Sequence, residues 1–166
     1  MTGIDPRDEQ AIEAQLGRPP RGIHGIGHRC PCGKPDVVST EPRLEDGTPF
    51  PTTFYLTCPR AASMIGTLEA SGLMREMTDR LAGDDGLAAG YQHAHEAYLE
   101  AREAIAVETG QAVPEIAGVS AGGMPARVKC LHVLAGQSLG QGRGVNPLGD
   151  EVLDALGEWW TDGPCV

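Results

Sequence analysis

Two short β-prone runs in the first third of the chain, followed by a helical period over most of the rest, constrain the fold more than any other feature. Val37, Val38 and Thr40 make one run and Phe54, Tyr55 and Leu56 the other, with Pro42, Asp46-Gly47, Pro49 and Pro51 between them. This pattern predicts an antiparallel hairpin with a long tip. Beyond Cys58-Pro59 the apolar residues recur every three or four positions, as Ala62, Ile65 and Leu68 and then Leu73, Met77 and Leu81, with a break at Ser71-Gly72. A longer helix over Asp84 to Val107 would carry Leu87, Tyr91, Ala94, His95, Tyr98, Arg102 and Ile105 on its inner face. Residues 5–16 read as a first helix, with Asp5 as cap, Pro6 in the first helical position and Gly17 as stop. A last long helix is expected from near Pro125 to Leu139, and a short one from Asp150 to Trp160. The chain is therefore expected to be α+β, a small antiparallel hairpin or sheet flanked by four or five helices. At 166 residues it is read as a single domain over 1–166, with a core at about 5–160 and a tail at 161–166.

The hairpin matters for chemistry, because an antiparallel pair places the residues just before its first strand beside those just after its second. Cys30 and Cys32, two apart in the turn Cys30-Pro31-Cys32-Gly33, should therefore meet Cys58. Four-coordinate zinc needs four nitrogen or sulfur ligands, and Cys130 and His132 are the distant residues that can complete such a set. Residues two apart on a helix point about 200° from each other, so both can reach one metal only if the helix begins after Cys130. Thiolate-rich sites also suit an iron–sulfur cluster. A closed zinc site would be structural, whereas one with an exchangeable position could activate water, with His28, His95 or Glu115 carrying the proton.

The same residues allow a metal-free cysteine nucleophile. Cys58 precedes Pro59 at an expected helix start, where the dipole lowers a thiol's pKa, and His28, His95 and His132 are eligible bases. Ser120, Gly122 and Gly123 ahead of Arg127 form a weak anion-site candidate at the expected start of the last long helix, without the spacing of a nucleotide-binding P-loop. His93 and His95 face opposite sides of their helix, and His95 with Arg102 reads as an inward polar pair. Trp159 and Trp160 are expected to close the core, and Cys165 in the tail to be incidental.

A formal charge of −10 repels phosphate backbones and argues against a nucleic-acid partner. Arg18, Arg21, Arg29 and Lys34 form a small basic stretch suited to a small anionic ligand. No stretch approaches the about 20 apolar residues of a membrane span, and Asp5, Asp8 and Glu9 open the chain in the reverse of a signal peptide. Five cysteines are an odd count for a disulfide framework and fit thiols or metal ligands in a reducing cytoplasm. Glycine (23) and proline (13) make up about a fifth of the residues, which predicts long irregular connections.

Five segments carry a resemblance: Leu16-Gly17-Arg18-Pro19-Pro20-Arg21-Gly22, Arg29-Cys30-Pro31, Leu56-Thr57-Cys58-Pro59, Val128-Lys129-Cys130-Leu131-His132 and Asn146-Pro147-Leu148-Gly149. Over roughly residues 10–155 the chain resembles the bacterial family called domain of unknown function 501, as an actinobacterial-type member. The family pattern matches Cys30, Cys58, Cys130 and His132, and Cys32 departs from it. The resemblance thus implies a Cys3His ligand set, with Cys32 as the alternative. It carries no established activity, but in actinobacterial members the gene lies near a septum-formation protein and an exopolyphosphatase. This implies a third reading, a non-enzymatic regulatory protein partner linked to cell division or polyphosphate metabolism.

Overall fold

In a computed structural model, which describes residues 3–166, six α-helices surround a three-stranded antiparallel sheet. Helix α1 (Pro6–Leu16) starts at Asp5, whose side chain accepts the Arg7 N–H, and ends at Gly17 in the left-handed conformation. Strands β1 (Ile23–Arg29), β2 (Pro35–Thr40) and β3 (Phe54–Leu56) lie in the order β1-β2-β3. Arg29 pairs with Pro35 and Val37 with Leu56, so the β1–β2 turn and the end of β3 fall at the same edge of the sheet. Helix α1 covers one face, where Ile12, Leu16, Ile23, Val38 and Tyr55 form a small core. The other face, through Val37 and Phe54, joins the main core.

Helices α2 (Pro59–Ala70), α3 (Leu73–Gly83) and α4 (Asp85–Thr109) follow, the first two separated at Gly72 with φ +86°. The inner face of α4 buries Tyr91, Ala94, Tyr98 and Ile105. Tyr98 accepts the Thr53 N–H at 2.7 Å and meets the Phe54 ring edge-on at 5.6 Å between centroids, which ties α4 to β3. Helix α5 (Leu131–Gln141) is buried over Val133 to Ser138. A side chain at Gly136 would place its Cβ 2.6 Å from the Phe54 carbonyl, so this glycine lets α5 lie directly on the sheet. Helix α6 (Pro147–Leu156) starts at Asn146 and packs on α5 through Gly149, which abuts the Leu134 carbonyl.

Two expectations need correction. The last long helix starts at Leu131 and not near Pro125. The Lys129 N–H turns back to the Gly122 carbonyl, seven residues earlier, and the Val128 N–H goes to Thr78 Oγ1, so neither is free for a helical ladder. The second concerns residues 161–166. A short 3-10 turn at Trp159–Asp162 leads to Gly163 at φ +134°, and the Arg60 guanidinium donates to the Pro164 carbonyl at 2.8 Å. Cys165 is thereby carried into the core and is fully buried.

Candidate metal centre

The β1–β2 turn is closed by the Cys30 N–H donating to the Lys34 carbonyl at 2.9 Å and the Gly33 N–H donating to the Cys30 carbonyl at 2.8 Å, with Gly33 at φ +94°. Only a residue without a Cβ adopts that conformation freely. This turn aims the Cys30 and Cys32 side chains inward, and the returning C-terminal segment meets them. The sulfurs of Cys30, Cys32 and Cys165 lie within 4.8 Å of one another, with Cys32 and Cys165 3.2 Å apart. Cys58, fully buried as N-cap of α2, places its thiol beside Cys165. The three thiols of Cys30, Cys32 and Cys165 could hold a metal ion.

The thiols are not equivalent. Burial pushes Cys30 up to about 11, against the Cys32 N–H and the Cys165 thiol, which favour its thiolate. Burial also opposes ionisation of Cys32, but the Lys34 and Cys165 N–H groups and the neighbouring thiols outweigh it and hold Cys32 below the usual thiol range. Burial and then the thiols of Cys58, Cys32 and Cys30 drive Cys165 upward. Backbone N–H groups directed at sulfur stabilise thiolates, while several thiolates in one buried pocket repel each other. A thiophilic cation resolves that conflict, because it binds the deprotonated sulfurs and supplies their counter-charge.

Cys130 and His132, expected to complete the same set, lie elsewhere. They group with Glu69 of α2, and the three candidate ligand atoms are within 4.8 Å of one another. Cys130 is the N-cap of α5, so it and His132 are not held on opposite sides of one helix. His132 Nδ1 is 3.2 Å from Glu69 Oε1, and His132 Nε2 is 3.1 Å from the Ala62 carbonyl. The other Glu69 oxygen accepts the Leu131 N–H at 2.8 Å. The Cys130 thiol raises His132 to about 9, with burial opposing and Glu69 assisting. The expected set of Cys30, Cys58, Cys130 and His132 is thus divided between two places, and Cys32 and Cys165 join Cys30 in the first.

The remaining candidates are dispersed. His28 on β1 is 2.7 Å from Asp36 on β2, a fully buried carboxylate whose hydrogen bond raises the imidazole pKa. His95 is 2.7 Å from Ser120 Oγ and is held below the usual histidine range by burial, with Glu96 opposing and Arg102 assisting. Arg102 donates instead to the Ile116 carbonyl at 2.8 Å, so it and His95 are neighbours without a shared hydrogen bond. Glu115 makes a bidentate pair with Arg43 at the surface. The loop with Ser120, Gly122, Gly123 and Arg127 is not the N-terminus of a helix, since α5 begins eight residues after Gly123; the anion site expected there loses its basis. No local sequence pattern marks Glu69 as a ligand, and Cys165 reads as incidental; only the packing of α2 on α5 and the turn at Gly163 place them.

A family model described as protein of unknown function (DUF501) matches residues 26–154. The chain belongs to this family. The DUF501 match includes Cys30, Cys32, Cys58, Glu69, Cys130 and His132, while Cys165 lies beyond its end. No curated protein and no solved structure matches the chain significantly. Among the described residues no helix is long and apolar enough to cross a membrane.

Proposed function

We propose that this DUF501 chain is a cytoplasmic zinc protein whose structural site is formed by the thiolates of Cys30, Cys32, Cys58 and Cys165. The observation that carries the reading is the gathering of the Cys30, Cys32 and Cys165 sulfurs within 4.8 Å, with Cys58 against Cys165. All-sulfur donor sets select zinc or iron–sulfur clusters over harder cations. A single closed pocket suits one tetrahedral ion, so zinc is the ion of choice. Cys30, Cys58 and Cys165 are shielded from solvent, which fits a structural site and not one with an exchangeable position. The ion would clamp three remote segments, the β1–β2 turn, the start of α2 and the C-terminus, around one point. Thiols kept for a metal also fit a reducing compartment.

Elemental analysis of protein purified without a histidine tag and dialysed against a mild chelator tests this. The expected result is one retained zinc per chain, lost in Cys165→Ser and in Cys32→Ser. Zinc retained in both variants, or absent from a folded wild type, would refute the reading.

A further inference from the structure

We propose that Glu69, Cys130 and His132 form a second metal site, solvent-accessible and exchangeable, that takes a borderline divalent cation of the zinc class. The proposal does not rest on the four-thiolate reading, because the ligand sets share no residue. Their anchors on α2, Cys58 and Glu69, are about 16 Å apart along the axis at 1.5 Å per residue.

The geometry of the three side chains is what points to a cation. A histidine ligand normally offers one ring nitrogen to the metal and donates the other N–H to a carbonyl or carboxylate, which fixes its tautomer and orientation. Here Nε2 is turned to the Ala62 carbonyl at 3.1 Å, leaving Nδ1 as the nitrogen that faces Glu69. A ligating carboxylate is likewise held by a hydrogen bond to its outer oxygen, and Glu69 Oε2 accepts the Leu131 N–H at 2.8 Å. Glu69, His132 and Cys130 thus each bring one ligand atom to within 4.8 Å of the others, with His132 Nδ1 3.2 Å from Glu69 Oε1; Glu69 and His132 are steadied from behind, and the Cys130 thiol, at the N-cap of α5, makes no capping hydrogen bond. Oxygen, nitrogen and sulfur in one set suit zinc better than magnesium or calcium, which prefer all-oxygen shells.

Accessibility separates this site from the four-thiol pocket. The side chains of His132 and Glu69 are 33% and 23% exposed, so ions can enter and leave. Three protein ligands also leave a fourth position to water, the arrangement of catalytic and exchangeable zinc sites.

The test uses full-length protein after dialysis against a mild chelator, titrated with zinc and, in parallel, with cobalt(II), whose visible absorbance reports sulfur and nitrogen ligation. The expected result is binding of one further equivalent, with zinc slowing iodoacetamide alkylation of Cys130 at least tenfold in peptide maps. Glu69→Gln keeps an acceptor for the Leu131 N–H and so preserves the start of α5, yet it should weaken the added equivalent at least tenfold. Cys130→Ser should abolish the cobalt absorbance of that equivalent, and Cys165→Ser should not affect it. If no further equivalent binds to the folded wild type, or if it binds undiminished in both Glu69→Gln and Cys130→Ser, the proposal is overturned. Alkylation of Cys130 at the same rate with and without saturating zinc would overturn it as well, and would mark Cys130 as a free reactive thiol.

Discussion

The sulfur of Cys165 lies 3.2 Å from that of Cys32, although 133 positions separate them in the chain. A contact that spans nearly the whole sequence fastens the C-terminus to the sheet. If a metal reinforces it, breaking the contact removes binding free energy that is also folding free energy. Cys165→Ser should therefore lower Tm by roughly 5 to 10 °C, equivalent to about 2 to 3 kcal/mol for a domain of this size. Thermal unfolding followed by circular dichroism checks this, and chelation should move the variant far less than the wild type.

Asn146 is fully buried and joins two functions in one side chain. Its Oδ1 caps α6 by accepting the Gly149 N–H at 2.9 Å, and its Nδ2 donates to Gln137 Oε1 at 2.9 Å. Asn146→Ala should cost about 2 to 3 kcal/mol, from the lost cap and the orphaned Gln137 oxygen. Asn146→Asp keeps the cap but sets two acceptors face to face, so it should also destabilise. Urea unfolding of both variants reads the effect, and an aspartate variant as stable as the wild type would show that the Gln137 bond contributes nothing.

Helices α5 and α6 approach through Gly149, whose Cβ position is already taken by the Leu134 carbonyl and Ser138 Oγ. Gly149→Ala must push the two helices apart and should cost about 1 to 3 kcal/mol despite alanine's better helix propensity. An unfolding midpoint equal to or above that of the wild type would contradict this packing.

His95 gives a pH dependence of defined sign. Burial holds it below its ordinary value of 6.5, with Arg102 in the same direction and Glu96 opposed. The folded chain therefore binds fewer protons here than the unfolded chain once pH falls below about 6.5. The contribution of His95 is present above that pH and is lost as pH drops through it. Urea midpoints at pH 7.5 and 5.5 should fall more in the wild type than in His95→Gln, and an equal fall would remove His95 as a cause.

The range of each interaction decides which parts of the fold and site local sequence can show. The hairpin, the break at Ser71-Gly72 and the long α4 are written in local periodicity, and β2–β3 pairing alone brings Cys58 to the edge that carries Cys30 and Cys32. The position of Cys165 has no periodic signal, because it is decided by one left-handed glycine, Gly163, and one hydrogen bond from Arg60 to Pro164. Glu69 is likewise one carboxylate on an amphipathic helix until α5 packs against it and offers the Leu131 N–H. The late start of α5 was hidden for a related reason: residues 124–130 have partners in distant or looped segments, including Thr78, that no local pattern announces.

X-ray absorption at the zinc edge reads directly which atoms would surround an ion in the enclosed pocket. Cys130→Ser protein, dialysed so that only the enclosed site is loaded, should give a first shell of four sulfurs at about 2.3 Å with no nitrogen or oxygen. A shell containing nitrogen or oxygen, or a folded sample of this variant without zinc, would contradict a site made by Cys30, Cys32, Cys58 and Cys165.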